Sequence, residues 1–142
     1  MTFAAEYFRE IKERTTDSGN LEYNPKKVLV VNGDLAQQPH YENLQERSGS
    51  FFILTYASTL ELARKYMKDM HPDIVIVYSI SDMGPREILE ELAPLNGKAT
   101  YLIQSSYGHV NVADLEGISV KETFKAEEGP FPVISRLESM LQ

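Results

Sequence analysis

The chain contains no cysteine, so disulfides, thiolate metal sites and a cysteine nucleophile are all excluded. Nor does it contain a long hydrophobic run. Its longest strongly apolar stretches, Val28–Val31 and Ile74–Tyr78, are far too short to span a bilayer, so no membrane role is expected. Cations are scattered, Lys26–Lys27 and Arg64–Lys65 being the only adjacent basic pairs. With a net charge of −7 this argues against nucleic acid, whose phosphate backbone demands clustered Lys and Arg. The nucleotide fingerprints G-x-G-x-x-G and G-x-x-x-x-G-K-[ST] are missing, and so is the G-x-S-x-G elbow of hydrolases. His40, His71 and His109 have no helical metal-ligand spacing, and no cofactor is implied.

What remains is ordinary for one globular domain: 142 residues, 42% hydrophobic and 25% charged. The N-terminal stretch carries Glu6, Glu10 and Glu13 without a continuous apolar core, so it does not read as a signal peptide. A cytoplasmic location is expected.

Along the chain, Phe3, Tyr7, Phe8 and Ile11 fall on one face of a helix predicted over residues 2 to about 14. Turn-forming residues from Thr15 to Pro25 separate it from the main domain, giving an N-terminal helix and linker (1–25) ahead of a domain at 26–142. Strands are predicted at 27–31, 51–54, 73–78 and 99–103, with a less defined fifth from 118 to about 123. Helices are predicted at 39–47, at 60–70 behind a Ser58/Glu61 capping box, after Pro85, at 110–115 and at 131–141. Strands and helices alternating at this spacing predict a five-stranded, doubly wound parallel sheet of flavodoxin-like order 2-1-3-4-5.

In such a sheet, ligands sit beyond the carboxyl ends of the strands, where strand order reverses. That places Asn32, Gly33 and Asp34 beside Tyr78, Ser79 and Asp82, with Gln104 or Ser105 after strand four and Lys125 after strand five. The loop Ser105-Ser106-Tyr107-Gly108 offers backbone amides to an anion but no nucleotide fingerprint, and His109 beside it has no fixed catalytic partner.

The stretches Lys27-Val28-Leu29-Val30-Val31-Asn32-Gly33-Asp34 and His71-Pro72-Asp73-Ile74-Val75-Ile76-Val77-Tyr78 resemble the receiver domains of two-component response regulators, over about residues 26–141. Gly84 and the following Glu87-Ile88-Leu89-Glu90-Glu91-Leu92 are similar to the start of a receiver's third helix. The resemblance implies a site of two adjacent acids after strand one, a phosphoacceptor Asp after strand three, a Ser or Thr after strand four and a Lys-Pro after strand five. Here those positions hold Asn32 and Gly33, Tyr78, Ser105 or Gln104, and Lys125-Ala126. Three carboxylates are absent together, and Mg²⁺-assisted phosphoryl transfer needs them.

Asp34 and Asp82 remain as candidate cation ligands, although Asp34 turning the first loop and Asp82 capping the third helix are plainer roles. The expected activity is therefore non-enzymatic: a degenerate receiver, or pseudo-receiver, that binds a signalling protein or a second copy of itself. A flavodoxin-like small-ligand domain using the Asn32/Ser79/Ser105 crevice is the alternative. By the same resemblance, partner binding falls at about residues 107–141, with Tyr107, Phe124, Glu127, Glu128 and Phe131 as candidates. Phe124 and Phe131 are equally candidates for the core.

Overall fold

β-Branched runs make the centre of the sheet, because strands buried on both faces need apolar residues at every position. The computed structural model describes residues 25–48, 52–105 and 117–141. Within them, five strands form one parallel sheet: β1 (Lys26–Val31), β2 (Phe52–Ala57), β3 (Ile74–Val77), β4 (Thr100–Ser105) and β5 (Ser119–Lys125), in the order β2-β1-β3-β4-β5. The predicted order holds, and every pairing is parallel. The fifth strand runs two residues beyond its expected end. It carries a bulge at Lys121, since Tyr101 pairs with Val120 while Leu102 pairs with Glu122.

Four helices flank the sheet: α1 (Gln38–Arg47), α2 (Leu60–Met70), α3 (Pro85–Leu92) and α4 (Phe131–Leu141). Alternation along the strands divides the core in two. On one face Leu29, Val31, Val75, Val77, Tyr101 and Ile103 meet Ala63, Tyr66 and Met67 of α2 and Ile88, Leu89 and Leu92 of α3. On the other, Val28, Val30, Phe52, Leu54, Ile76 and Leu102 meet Tyr41 and Leu44 of α1 and Val133, Ile134 and Leu137 of α4. Each large side chain so buried contributes about 1.5–3 kcal/mol.

Two expected caps are corrected. Thr59, not Ser58, is the N-cap of α2: its extended backbone (φ −131°, ψ 156°) lets the hydroxyl accept from the Leu62 amide at 3.2 Å. The N-cap of α3 is Gly84, with no side-chain hydrogen bond, so Asp82 does not cap that helix. Instead Ser81 and Asp82 form a tight turn between Ile80 and Met83, whose backbones exchange hydrogen bonds of 3.1 and 2.8 Å. His71 closes α2 in a left-handed conformation (φ 48°, ψ 65°) before Pro72, where an L side chain is strained. The expected helices at 2–14 and 110–115, with Tyr107 and His109, lie outside the described residues.

Candidate functional site

Because all five strands are parallel, the residues singled out by sequence gather on one rim of the sheet. Asn32, Gly33 and Asp34 follow β1, and Tyr78, Ser79 and Asp82 follow β3. Ser105 ends β4 and Lys125 ends β5. The ladder resolves the ambiguity after strand four: Ser105 is level with Lys125, and Gln104 with Phe124. Ser105 is therefore the strand-four residue beside the lysine. Gln104 is buried, and its Nε2 donates to the Gly129 carbonyl at 2.9 Å, tying the end of β4 to the connection before α4.

Asn32 is almost fully buried and its amide is used within its own loop. The backbone N–H donates to the Ala57 carbonyl at 3.0 Å, while Oδ1 accepts from the Asp34 N–H at 2.8 Å and Nδ2 donates to Gln37 Oε1 at 3.0 Å. This is an Asx-turn held by a second amide, and an Asp here would keep the acceptor but lose the donor. Asp34 has a similarly local role, as expected of a turn-forming acid. Its Oδ1 accepts from the Ala36 N–H at 3.0 Å, capping the short 3₁₀ turn Leu35–Gln37, and its carbonyl accepts from the Tyr56 hydroxyl at 2.6 Å. Burial, reinforced by Tyr41 and Asp34, pushes the Tyr56 hydroxyl well above the ordinary tyrosine range and keeps it a neutral donor.

Gly33 joins the two halves of the site. Its N–H donates to the Ser79 carbonyl at 2.9 Å, and the Tyr78 N–H donates to the Val31 carbonyl at 2.8 Å, so the β1–β3 ladder continues past both strand ends. A Cβ at position 33 would stand 3.1 Å from Ile80 Cα and 3.2 Å from the Ser79 carbonyl oxygen. Only a residue without a side chain lets the loop after β3 close this far over the loop after β1.

The donor set does not fit a divalent cation. Mg²⁺ is held by carboxylates with waters and phosphate, but Asn32 and Gly33 stand at the paired-acid positions and Tyr78 at the acceptor position. Among the described residues no group of three or more His, Asp and Glu side chains could hold a metal ion. Asp82 is exposed in its turn, and Asp34 is committed to its own loop. Tyr78 and Ser79 are half-buried.

Of the expected partner residues, Glu127 and Glu128 are exposed, and Phe131 is 62% exposed with its ring edge-on to His40 at a centroid distance of 4.9 Å. Phe124 is half-buried against the α1/α4 core. Sequence reasoning passed over Gln37 and Tyr56, which hold the first loop in place. It also passed over Leu35, whose signal was an isolated apolar residue in a polar turn.

No protein-family profile matches the chain, and no curated protein matches it in sequence. Solved structures do. A CheY-like response regulator receiver domain protein from Methanospirillum hungatei JF-1 is similar with a TM-score of 0.64 and 15% identity, over 83% of this chain and 94% of that one. The response regulator domain of Thermotoga maritima CheB gives 0.62 at 11% identity, covering 83% and 96%. An adenylate cyclase structure from Rhodopirellula baltica gives 0.61 at 14% identity, covering 83% and 90%. At such identities it is the architecture that is shared. With its strand order and flanking helices, the chain has the CheY-like, flavodoxin-type fold of receiver domains.

Proposed function

We propose that this chain is a receiver-like signalling module that acts by binding another protein and is not switched by aspartyl phosphate. The observation that carries this reading is the closed junction at Gly33. Where receiver chemistry needs carboxylates and a cation, the loop after β3 is hydrogen-bonded by backbone to the loop after β1, and the neighbouring Asn32 amide is consumed by Asp34 and Gln37. Phosphoryl transfer depends on positioning and on neutralising developing charge, and neither Tyr78 nor the amide of Asn32 supplies a negative ligand for the metal that would do so. The same closure counts against a small ligand in the Asn32/Ser79/Ser105 crevice, because backbone atoms already fill the approach beside Gly33.

Partner binding is supported by the exposure of Glu127, Glu128 and Phe131 on the rim. Phe124 contributes to the core instead, and Tyr107 lies outside the described residues. Titration calorimetry with beryllofluoride and Mg²⁺ tests the pocket. The expected result is no saturable heat. Micromolar binding that disappears in Asp34→Asn or Asp82→Asn would overturn the proposal.

A further inference from the structure

Among the described residues only two large hydrophobic side chains are exposed, Leu35 at 58% and Phe131 at 62%. One exposed hydrophobe needs no explanation, since proteins cannot cover all of their apolar surface. These two share a rim and are held there. Leu35 opens the 3₁₀ turn that Asp34 caps and that runs directly into α1. Phe131 opens α4, and its ring packs against His40 in the first turn of α1, which brings the starts of the two helices together. Neither side chain has a covering element within the described fold.

The electrostatic setting says what would cover them. The rim segments 32–40, 78–84 and 125–131 contain Asp34, Asp82, Glu127 and Glu128 against a single lysine, Lys125. All four acids are exposed. The cations further along α1 and α4 are engaged: Arg47 pairs with Glu138 at 3.8 Å and Arg136 with Glu122 at 3.0 Å. A second copy of the chain is a poor occupant, because an isologous contact would set this acidic rim against itself. The chain's own N-terminal stretch is a poor one too, since Glu6, Glu10 and Glu13 balance Arg9, Lys12 and Arg14 and give no charge match.

We infer that the Leu35–His40–Phe131 surface docks a basic segment of another protein, two large apolar side chains of which seat on Leu35 and Phe131 while its Lys and Arg face Asp34, Glu127 and Glu128. This rests on the reading of the chain as a protein-binding module and names the chemistry of the partner. Apolar anchors supply the contact, and the acids steer the encounter and select the partner's sign.

The test uses the full chain and two synthetic 14-residue helical peptides with the same leucine pattern, one carrying Lys and the other Glu. Binding is followed by amide chemical shifts and calorimetry. The expected result is that the Lys peptide binds, shifts the amides around Leu35, His40 and Phe131, and weakens several-fold between 50 and 300 mM salt, roughly as screening dictates. The variant Leu35→Ser/Phe131→Ser, altered only at exposed positions, should lose at least about tenfold in affinity while its circular dichroism is unchanged. Glu127→Lys/Glu128→Lys should lose several-fold and much of the salt dependence. Equal binding of the Glu peptide, absence of binding, or shifts centred elsewhere would overturn the inference. So would a dimer in sedimentation that Leu35→Ser/Phe131→Ser converts to monomer. Any of these leaves the phosphate-analogue calorimetry unchanged, so failure of the docking surface and failure of the pocket reading are separable.

Discussion

Replacing Gly33 by alanine adds one methyl group at the point where the two loops meet. The new Cβ would lie 3.1 Å from Ile80 Cα, 3.2 Å from the Ser79 carbonyl oxygen and 3.5 Å from the Ser81 nitrogen. All three are backbone atoms, so no flexible side chain can swing aside. Moving them strains the Gly33–Ser79 hydrogen bond of 2.9 Å and the Ile80–Met83 turn, and Ile80 is itself buried in the core. Overpacking of this kind costs about 1–3 kcal/mol, and a weakened backbone hydrogen bond about 1 kcal/mol more. Against this, the stiffer unfolded chain returns about 0.4–1 kcal/mol. The net is a loss of roughly 1–3 kcal/mol, or a melting temperature lower by about 5–10 °C for a domain of this size. Gly97→Ala is the control, because a Cβ there meets nothing within 4 Å and the residue is exposed. Urea denaturation of both variants gives the comparison. If Gly33→Ala is as stable as Gly97→Ala, the loops are not locked together and the closed-junction argument fails.

Other expectations follow from the same contacts. His71→Gly removes a left-handed L residue at the end of α2 and should stabilise the protein by about 1 kcal/mol in denaturant melts. Thr59→Ala should cost about 1 kcal/mol and Ser58→Ala nearly nothing, which would distinguish the observed cap from its neighbour. Burial raises the Tyr101 hydroxyl to about 12 and the Tyr41 hydroxyl further still, and both residues are buried in the core. Unfolded tyrosines ionise near pH 10 while these stay protonated in the folded protein. Stability is thus intact below pH 10 and falls above it, by up to about 1.4 kcal/mol per pH unit for each. Absorbance at 295 nm should show these tyrosinates appearing only with unfolding. Early, reversible ionisation of all tyrosines would contradict the burial.

The sheet was legible because Val28–Val31 and Ile74–Val77 leave little alternative to a doubly buried strand, and alternation with amphipathic helices then fixes the order. The fifth strand was harder to read. It alternates exposed and half-buried positions at the sheet edge and includes a bulge, so its hydrophobic signal is weak. The cap of α2 was misassigned because Ser58 and Thr59 are both competent hydroxyls, and the choice depends on which register buries Ala63 and Met67. Asp82 was read as a cap because an Asp shortly before Pro85 suits one. The exchange between Ile80 and Met83 takes it into a turn instead. The substituted acids were visible in the sequence at once. What was not visible is that Gly33 lets the loop after β3 close over the site, since this depends on a contact between residues 46 positions apart. Leu35 and Phe131 were ambiguous for a similar reason: hydrophobicity alone does not say whether a neighbour will cover a side chain.

Intact mass spectrometry after incubation with acetyl phosphate and Mg²⁺ tests the central claim most directly. With Asn32, Gly33 and Tyr78 in place of the carboxylates, the mass should remain that of the unmodified chain, and Tyr78→Asp alone should not change this because the metal still lacks its ligands. A stable gain of one phosphoryl group, abolished by Asp82→Asn or Asp34→Asn, would contradict the account and return the chain to the phosphorylated class.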